Sequence, residues 1–111
     1  MITVTIVRNA DKRITSFKIK GHAKYAKHGK DIVCAGVSAV SVGTVNSIEA
    51  LAEVKLPYAM DNGWLSSDIP VIADQETAHK VQLLLESMIV MLNTIAESYG
   101  KYVVIKQQSL E

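Results

Sequence analysis

A chain of 111 residues, 49% apolar and 21% charged with net charge +1, reads as one domain spanning residues 1–111, with enough apolar mass for a core. That balance excludes a disordered segment and argues against strong direct nucleic-acid binding, since no basic stripe is present. One cysteine excludes an internal disulfide or a CxxC pair; Met1 to Arg8 carries no signal-peptide layout, and the run Leu83 to Leu92 is too short for a bilayer, so the expectation is a cytoplasmic protein with no membrane role.

Ile2, Val4 and Ile6 alternate with Thr3 and Thr5, which predicts a first strand. Asn9-Ala10-Asp11-Lys12 reads as a turn into a second strand over Arg13 to Lys20, where Ile14 is out of phase with Phe17 and Ile19 and predicts a bulge near Thr15-Ser16. Periodicity then stops. Lys20, Lys24, Lys27 and Lys30, with Gly21 and Gly29, predict a solvated, mobile loop. Helical spacing resumes at Asp31 or Ile32 and runs through Val33, Val37, Val40, Thr44, Ile48, Leu51 and Lys55 to Pro57. Many positions on that helix are small or β-branched, so its stability must come from close tertiary packing.

Tyr58 to Asp61 and Trp64 to Ile69 flank Asn62-Gly63, a strong hairpin signal. Asp74 is placed to cap a second helix, whose apolar stripe from Val81 to Tyr99 is broad enough to suggest a homodimer. Gly100 fits a C′ position, and Tyr102 to Lys106 forms a last strand. The order ββαββαβ predicts an α+β fold. The expected form is a two-layer α/β sandwich, with two long helices against a mostly antiparallel sheet of about five strands.

The chemistry concentrates where the loop meets the first helix. With Asp31 as N-cap, Cys34 sits at N3, where unpaired N–H groups and the helix dipole favour a thiolate. His22 lies twelve positions earlier, across the glycine-punctuated loop, and can serve as general base if the loop closes. The plain alternatives are a buried structural cysteine and an exposed loop histidine without a role. Asp31 either caps the helix or orients His22. An oxyanion would lean on backbone N–H groups near Cys34 or Ala35. Gly36 and Ser38 leave room for a substrate backbone. His28 is a weaker base candidate, and His79 reads as a surface residue. The histidines and the cysteine show no metal-ligand spacing, and no glycine pattern matches a phosphate loop or a dinucleotide fingerprint.

The segment Gly21-His22-Ala23, followed by Asp31-Ile32-Val33-Cys34-Ala35-Gly36-Val37-Ser38, resembles the signature of the bacterial ribosomal-processing cysteine protease family. The resemblance extends nearly end to end through the order of elements. It implies an endopeptidase that removes a short N-terminal extension from a large-subunit ribosomal protein during ribosome assembly, cutting after an aromatic residue. It further implies Cys34 as nucleophile, His22 as general base and acid, and Asp31 beside them. Gly21, Gly29, Ala35, Gly36 and Ser38 fall in the substrate loop and oxyanion region. The family is cytoplasmic and dimeric, needs no cofactor, and has a flexible loop over its site. The alternative is a non-enzymatic ribosome-associated module that binds RNA or protein, with the loop lysines on phosphates and Cys34 merely packed.

Overall fold

A computed structural model describes residues 1–27 and 29–110. Strand β1 (Ile2–Arg8) and strand β2 (Ile14–Lys20) form the first hairpin. Asn9 organises its turn by accepting the Asp11 and Arg13 N–H groups on its side-chain oxygen, while Lys12 takes a left-handed φ of 64°. The pairing passes from Val7↔Ser16 to Arg8↔Ile14, so Thr15 is the extra residue of the expected bulge. Ile14 is 1% exposed and still needs partners for its backbone. Gln82 supplies them across the interface: its Oε1 accepts the Ile14 N–H at 2.8 Å and its Nε2 donates to the Ile14 carbonyl at 2.9 Å.

Helix α1 spans Ile32–Ala52 and ends earlier than the apolar spacing predicts. Glu53 adopts φ 57° and donates its N–H to the Ile48 carbonyl, a left-handed cap that turns the chain before Lys55 and Pro57. The early stop lets Leu56, 2% exposed, enter the core before the next strand. Strands β3 (Tyr58–Asp61) and β4 (Trp64–Asp68) follow, joined at Asn62-Gly63. Ile69, expected to extend β4, instead donates its N–H to the Thr15 carbonyl.

Helix α2 (Gln75–Ser98) starts at Asp74, whose Oδ2 accepts the N–H and hydroxyl of Thr77. Gly100 does not supply a left-handed cap. The helix ends at Tyr99 (φ −129°), whose carbonyl accepts the N–H groups of Tyr102 and Val103 and turns the chain into strand β5 (Val103–Ser109). That strand runs three residues past the predicted end because β1 offers it parallel pairing as far as Arg8↔Ser109.

The sheet order is β3-β4-β2-β1-β5, antiparallel except for β1 with β5. This is the expected α+β arrangement in the order ββαββαβ. Val4, Ile6 and Phe17 from the sheet share a core with Ile48, Leu85, Met88 and Leu92 from the helices, all at most 1% exposed. Each such side chain contributes about 1.5–3 kcal/mol on burial. By length and hydropathy alone both helices reach membrane-spanning size, contrary to the reading of apolar runs. Their buried stripes, Val33 to Ala52 and Ala78 to Leu92, make them core helices here.

Candidate active site

The site forms where β2 gives way to the loop leading into α1. Gly21 opens that loop at φ +103° and donates its N–H to the Gly63 carbonyl at 2.7 Å. A Cβ at Gly21 would collide with the Met1 carbonyl oxygen, so the position requires glycine. The loop is thereby fastened to the β3–β4 turn, and the next residue, His22, lies over Gly63. A Cβ on Gly63 would come within 2.7 Å of the His22 Nε2. The bare Gly63 backbone is thus a seat for the imidazole.

Ala23 is 3% exposed, and its N–H donates to the Cys34 Sγ at 3.3 Å. Cys34 itself is half-buried. Among the described residues, no hydrogen bond links the His22 ring to this sulfur, although both side chains line one cleft of about 760 Å³. Gly21, Gly29, Asp31, Ala35 and Ser38 also line it. Gly36 does not. Two residues past Cys34, it lies about 200° around the helix, where an added Cβ would approach Ile95 of α2 at 3.6 Å. Gly36 thus faces α2 in this structure.

Asp31 is the N-cap of α1, with φ −86°. Its Oδ1 accepts the N–H groups of Val33 and Cys34, both at 3.0 Å. Its Oδ2 accepts those of Tyr25 at 2.9 Å and Ala26 at 3.3 Å. One carboxylate therefore starts the helix and ties down the loop, and none of these bonds goes to His22. Burial pushes the Asp31 carboxyl up, but the N–H donors of Cys34, Ala26, Tyr25 and Val33 outweigh it and hold the pKa below the ordinary value.

The cap alters the expected electrostatics. The Cys34 N–H serves the Asp31 side chain, and the Ala35 N–H donates to the Asp31 carbonyl at 3.0 Å. Both N–H groups expected near an oxyanion are thus engaged in this structure. The donor that faces the sulfur comes from the loop, not from the helix N-terminus.

The loop expected over Lys20 to Lys30 is not uniform. Its first half is anchored. Ala23 is buried, and the Tyr25 ring meets Tyr99 edge-on at 5.6 Å between centroids and Tyr102 at 5.2 Å. Lys27, Gly29 and Lys30 are exposed. His28 lies outside the described residues, and His79 is exposed on α2. No group of three or more His, Cys, Asp or Glu side chains gathers into a metal site among the described residues.

Sequence reasoning missed Ala23, Gly63 and the Tyr25 cluster. Gly63 was visible only as a turn residue. Ala23 stood in the signature, but nothing in its side chain reveals a backbone donor.

Comparison with known proteins shows the family. The family model described as Cysteine protease Prp matches residues 1–104. The ribosomal processing cysteine protease Prp of Bacillus subtilis is 48% identical over 101 residues, covering 89% of this chain and 90% of the relative. Its counterpart from Staphylococcus aureus is 36% identical over 101 residues, covering 91% and 93%. A crystal structure of the S. aureus protease, in complex with a covalently linked product peptide, superposes with a TM-score of 0.88 at 34% identity, covering 97% of this chain and all of that one. A second, with a substrate peptide, gives a TM-score of 0.83 at the same identity and coverage of this chain.

Proposed function

The chain belongs to the Prp family of ribosomal-processing cysteine proteases, and on that premise we propose that it removes the N-terminal extension of a large-subunit ribosomal protein by cysteine–histidine catalysis. The observation that carries the reading is the junction itself. One cleft is lined by a half-buried sulfur on the first turn of α1 and an imidazole seated on the opposite turn, and the N–H of buried Ala23 donates to that sulfur from the loop.

Cys34 is the nucleophile and His22 the general base. The His22 ring pivots on its seat over Gly63 toward the sulfur when substrate fills the cleft. The thiolate attacks the scissile carbonyl, and the protonated imidazole passes its proton to the leaving amine. Water then hydrolyses the acyl-enzyme. Asp31 acts by holding both the helix start and the loop, so that Cys34 and Ala23 keep their relation. Gly21 and Gly63 hold the His22 end of the loop. The rest of the fold serves this one site as a single domain.

The protein works as a cytoplasmic homodimer. No charged residue occurs between Ile32 and Ile48, and the outer face of α2 exposes Leu83 and Val90 at 70% and 65%, which supports self-association.

The test is incubation of the protein and its Cys34→Ala variant with extended ribosomal-protein precursors, read by intact mass. Wild type shortens the precursor and the variant leaves it whole while melting at about the same temperature. Cleavage by the variant at the wild-type rate ends the assignment.

A further inference from the structure

An oxyanion needs donors that are free in the resting enzyme or released cheaply. The helix N-terminus offers none at the place required. The N–H groups of Val33 and Cys34 are held by the Asp31 carboxylate at 3.0 Å, and that of Ala35 by the Asp31 carbonyl at 3.0 Å. Releasing the Cys34 donor would cost one of the two helix-capping bonds on Oδ1 of the same carboxylate whose Oδ2 ties Tyr25 and Ala26.

The N–H of Ala23 differs in each respect. Its hydrogen-bond partner is the reacting sulfur, at 3.3 Å, a weak acceptor when neutral. Its methyl is fixed in the core at 3% exposure, and the loop on either side is fastened by Gly21 to Gly63 and by Tyr25 to Asp31. The donor is therefore held in place before substrate arrives.

We propose that the backbone N–H of Ala23 is the oxyanion donor of this protease, an assignment that rests on the cysteine–histidine reading above. In the resting state it points at the Cys34 Sγ. When the sulfur attacks, an Sγ–C bond forms and the carbonyl π pair moves to oxygen, so the negative charge shifts from sulfur to an atom two bonds away. The same N–H transfers to that oxygen with little movement of the loop. As the C–N bond breaks, the leaving nitrogen takes the proton from His22 and the carbonyl re-forms. The bond to a charged oxygen is stronger than the bond to sulfur, so the gain is larger in the transition state than in the ground state.

The experiment removes this one hydrogen. Cys34 is a ligation point: synthetic residues 1–33, with lactic acid in place of Ala23, are joined to recombinant residues 34–111. The product is the full chain with an ester oxygen where the N–H stood. The probes are a peptide aminomethylcoumarin amide ending in an aromatic residue, the matching peptide aldehyde, and iodoacetamide, whose alkylation of Cys34 forms no oxyanion.

The expected result is a fall in kcat of about 10²–10³-fold, the range for losing one oxyanion donor. KM should change little, the aldehyde should bind more weakly by a similar factor, and alkylation should stay within a few-fold of wild type. Hydrolysis at the wild-type rate overturns the proposal. So does a parallel fall of alkylation and hydrolysis, because the N–H would then serve only the thiolate.

A second measurement needs no altered chain. In ¹⁵N-alanine-labelled protein, the Ala23 amide proton should move downfield when the aldehyde forms its hemithioacetal with Cys34, and an unmoved resonance counts against the proposal. Failure of the protease reading looks different. The unmodified protein would then cleave neither the coumarin amide nor the extended precursor, and the oxyanion assignment would fall with it.

Discussion

Replacing Gly63 by alanine separates the seat of His22 from the stability of the turn. Two effects are built into the position. Its φ is +88°, where an L side chain costs roughly 1–2 kcal/mol. The new Cβ would also stand 2.7 Å from the His22 Nε2 and 3.2 Å from Cε1, so the ring must retreat to reach ordinary contact. The ring is the free end of an exposed side chain, so this second effect adds little to the stability cost and falls mainly on catalysis. A displacement approaching 1 Å of a reacting group lowers rate by as much as about 10²-fold.

The expected outcome for Gly63→Ala is a melting temperature lower by roughly 4–16 °C, from 4–8 °C per kcal/mol in a domain of this size, together with kcat/KM down by about 10–100-fold at a temperature where the protein is fully folded. The assay is peptide hydrolysis beside thermal melts, run as a double-mutant cycle with His22→Ala. In the His22→Ala background the same change should lower the melt but leave residual cleavage and Cys34 alkylation nearly untouched. Undiminished or raised hydrolysis by Gly63→Ala at full folding would refute the reasoning, since Gly63 would then only park the ring away from its working position. An equal rate loss in both backgrounds would refute it too.

Gln82→Ala removes the side-chain partners of the part-buried N–H and carbonyl of Ile14 and should cost about 2–6 kcal/mol by denaturant unfolding, at 1–3 kcal/mol per orphaned group. By contrast, Glu86→Gln weakens a bidentate pair with Arg8 at 2.7 and 2.8 Å whose carboxylate side is 45% exposed, so the loss should stay below about 1 kcal/mol. A cost for Glu86→Gln above that for Gln82→Ala contradicts this ranking. Tyr25→Ala removes two edge-on aromatic contacts worth about 1–3 kcal/mol together, and amide hydrogen exchange over residues 23–26 should accelerate by roughly 5–150-fold; unchanged exchange means the ring does not anchor the loop.

The Asp31 carboxyl is held below the ordinary value of 3.8, so its contribution to stability is complete above that pH and disappears as pH falls through the lower folded-state value. Asp31→Asn should accordingly flatten the acid limb of stability against pH below about pH 4. Melts that keep the full acid limb in the variant assign it to other carboxylates.

The element order, both helix starts and the central hairpin are legible in the chain, because each depends on near neighbours. Alternation marks β1, three-four spacing marks α1 and α2, and Asp31 and Asp74 accept N–H groups two or three residues on. A signature segment of eighteen residues, from Gly21 to Ser38, carries both Cys34 and His22. Boundaries set by distant partners were not. Glu53 ends α1 so that Leu56 can reach the core, and β5 continues to Ser109 because β1 is there to pair with it.

By itself, the amino-acid sequence determined which segments are helix and strand, which faces are apolar and which reactive groups are available. The tertiary structure decided what those groups meet. It laid Gly63 beneath His22 across forty-one positions of chain, turned the Ala23 N–H onto the Cys34 sulfur, occupied the helix's own donors with Asp31, and joined Tyr25 to Tyr99 and Tyr102. The physical reason is that periodicity and capping are energies of neighbouring residues, whereas a backbone N–H or a bare glycine leaves no mark on pattern until packing brings a partner to it.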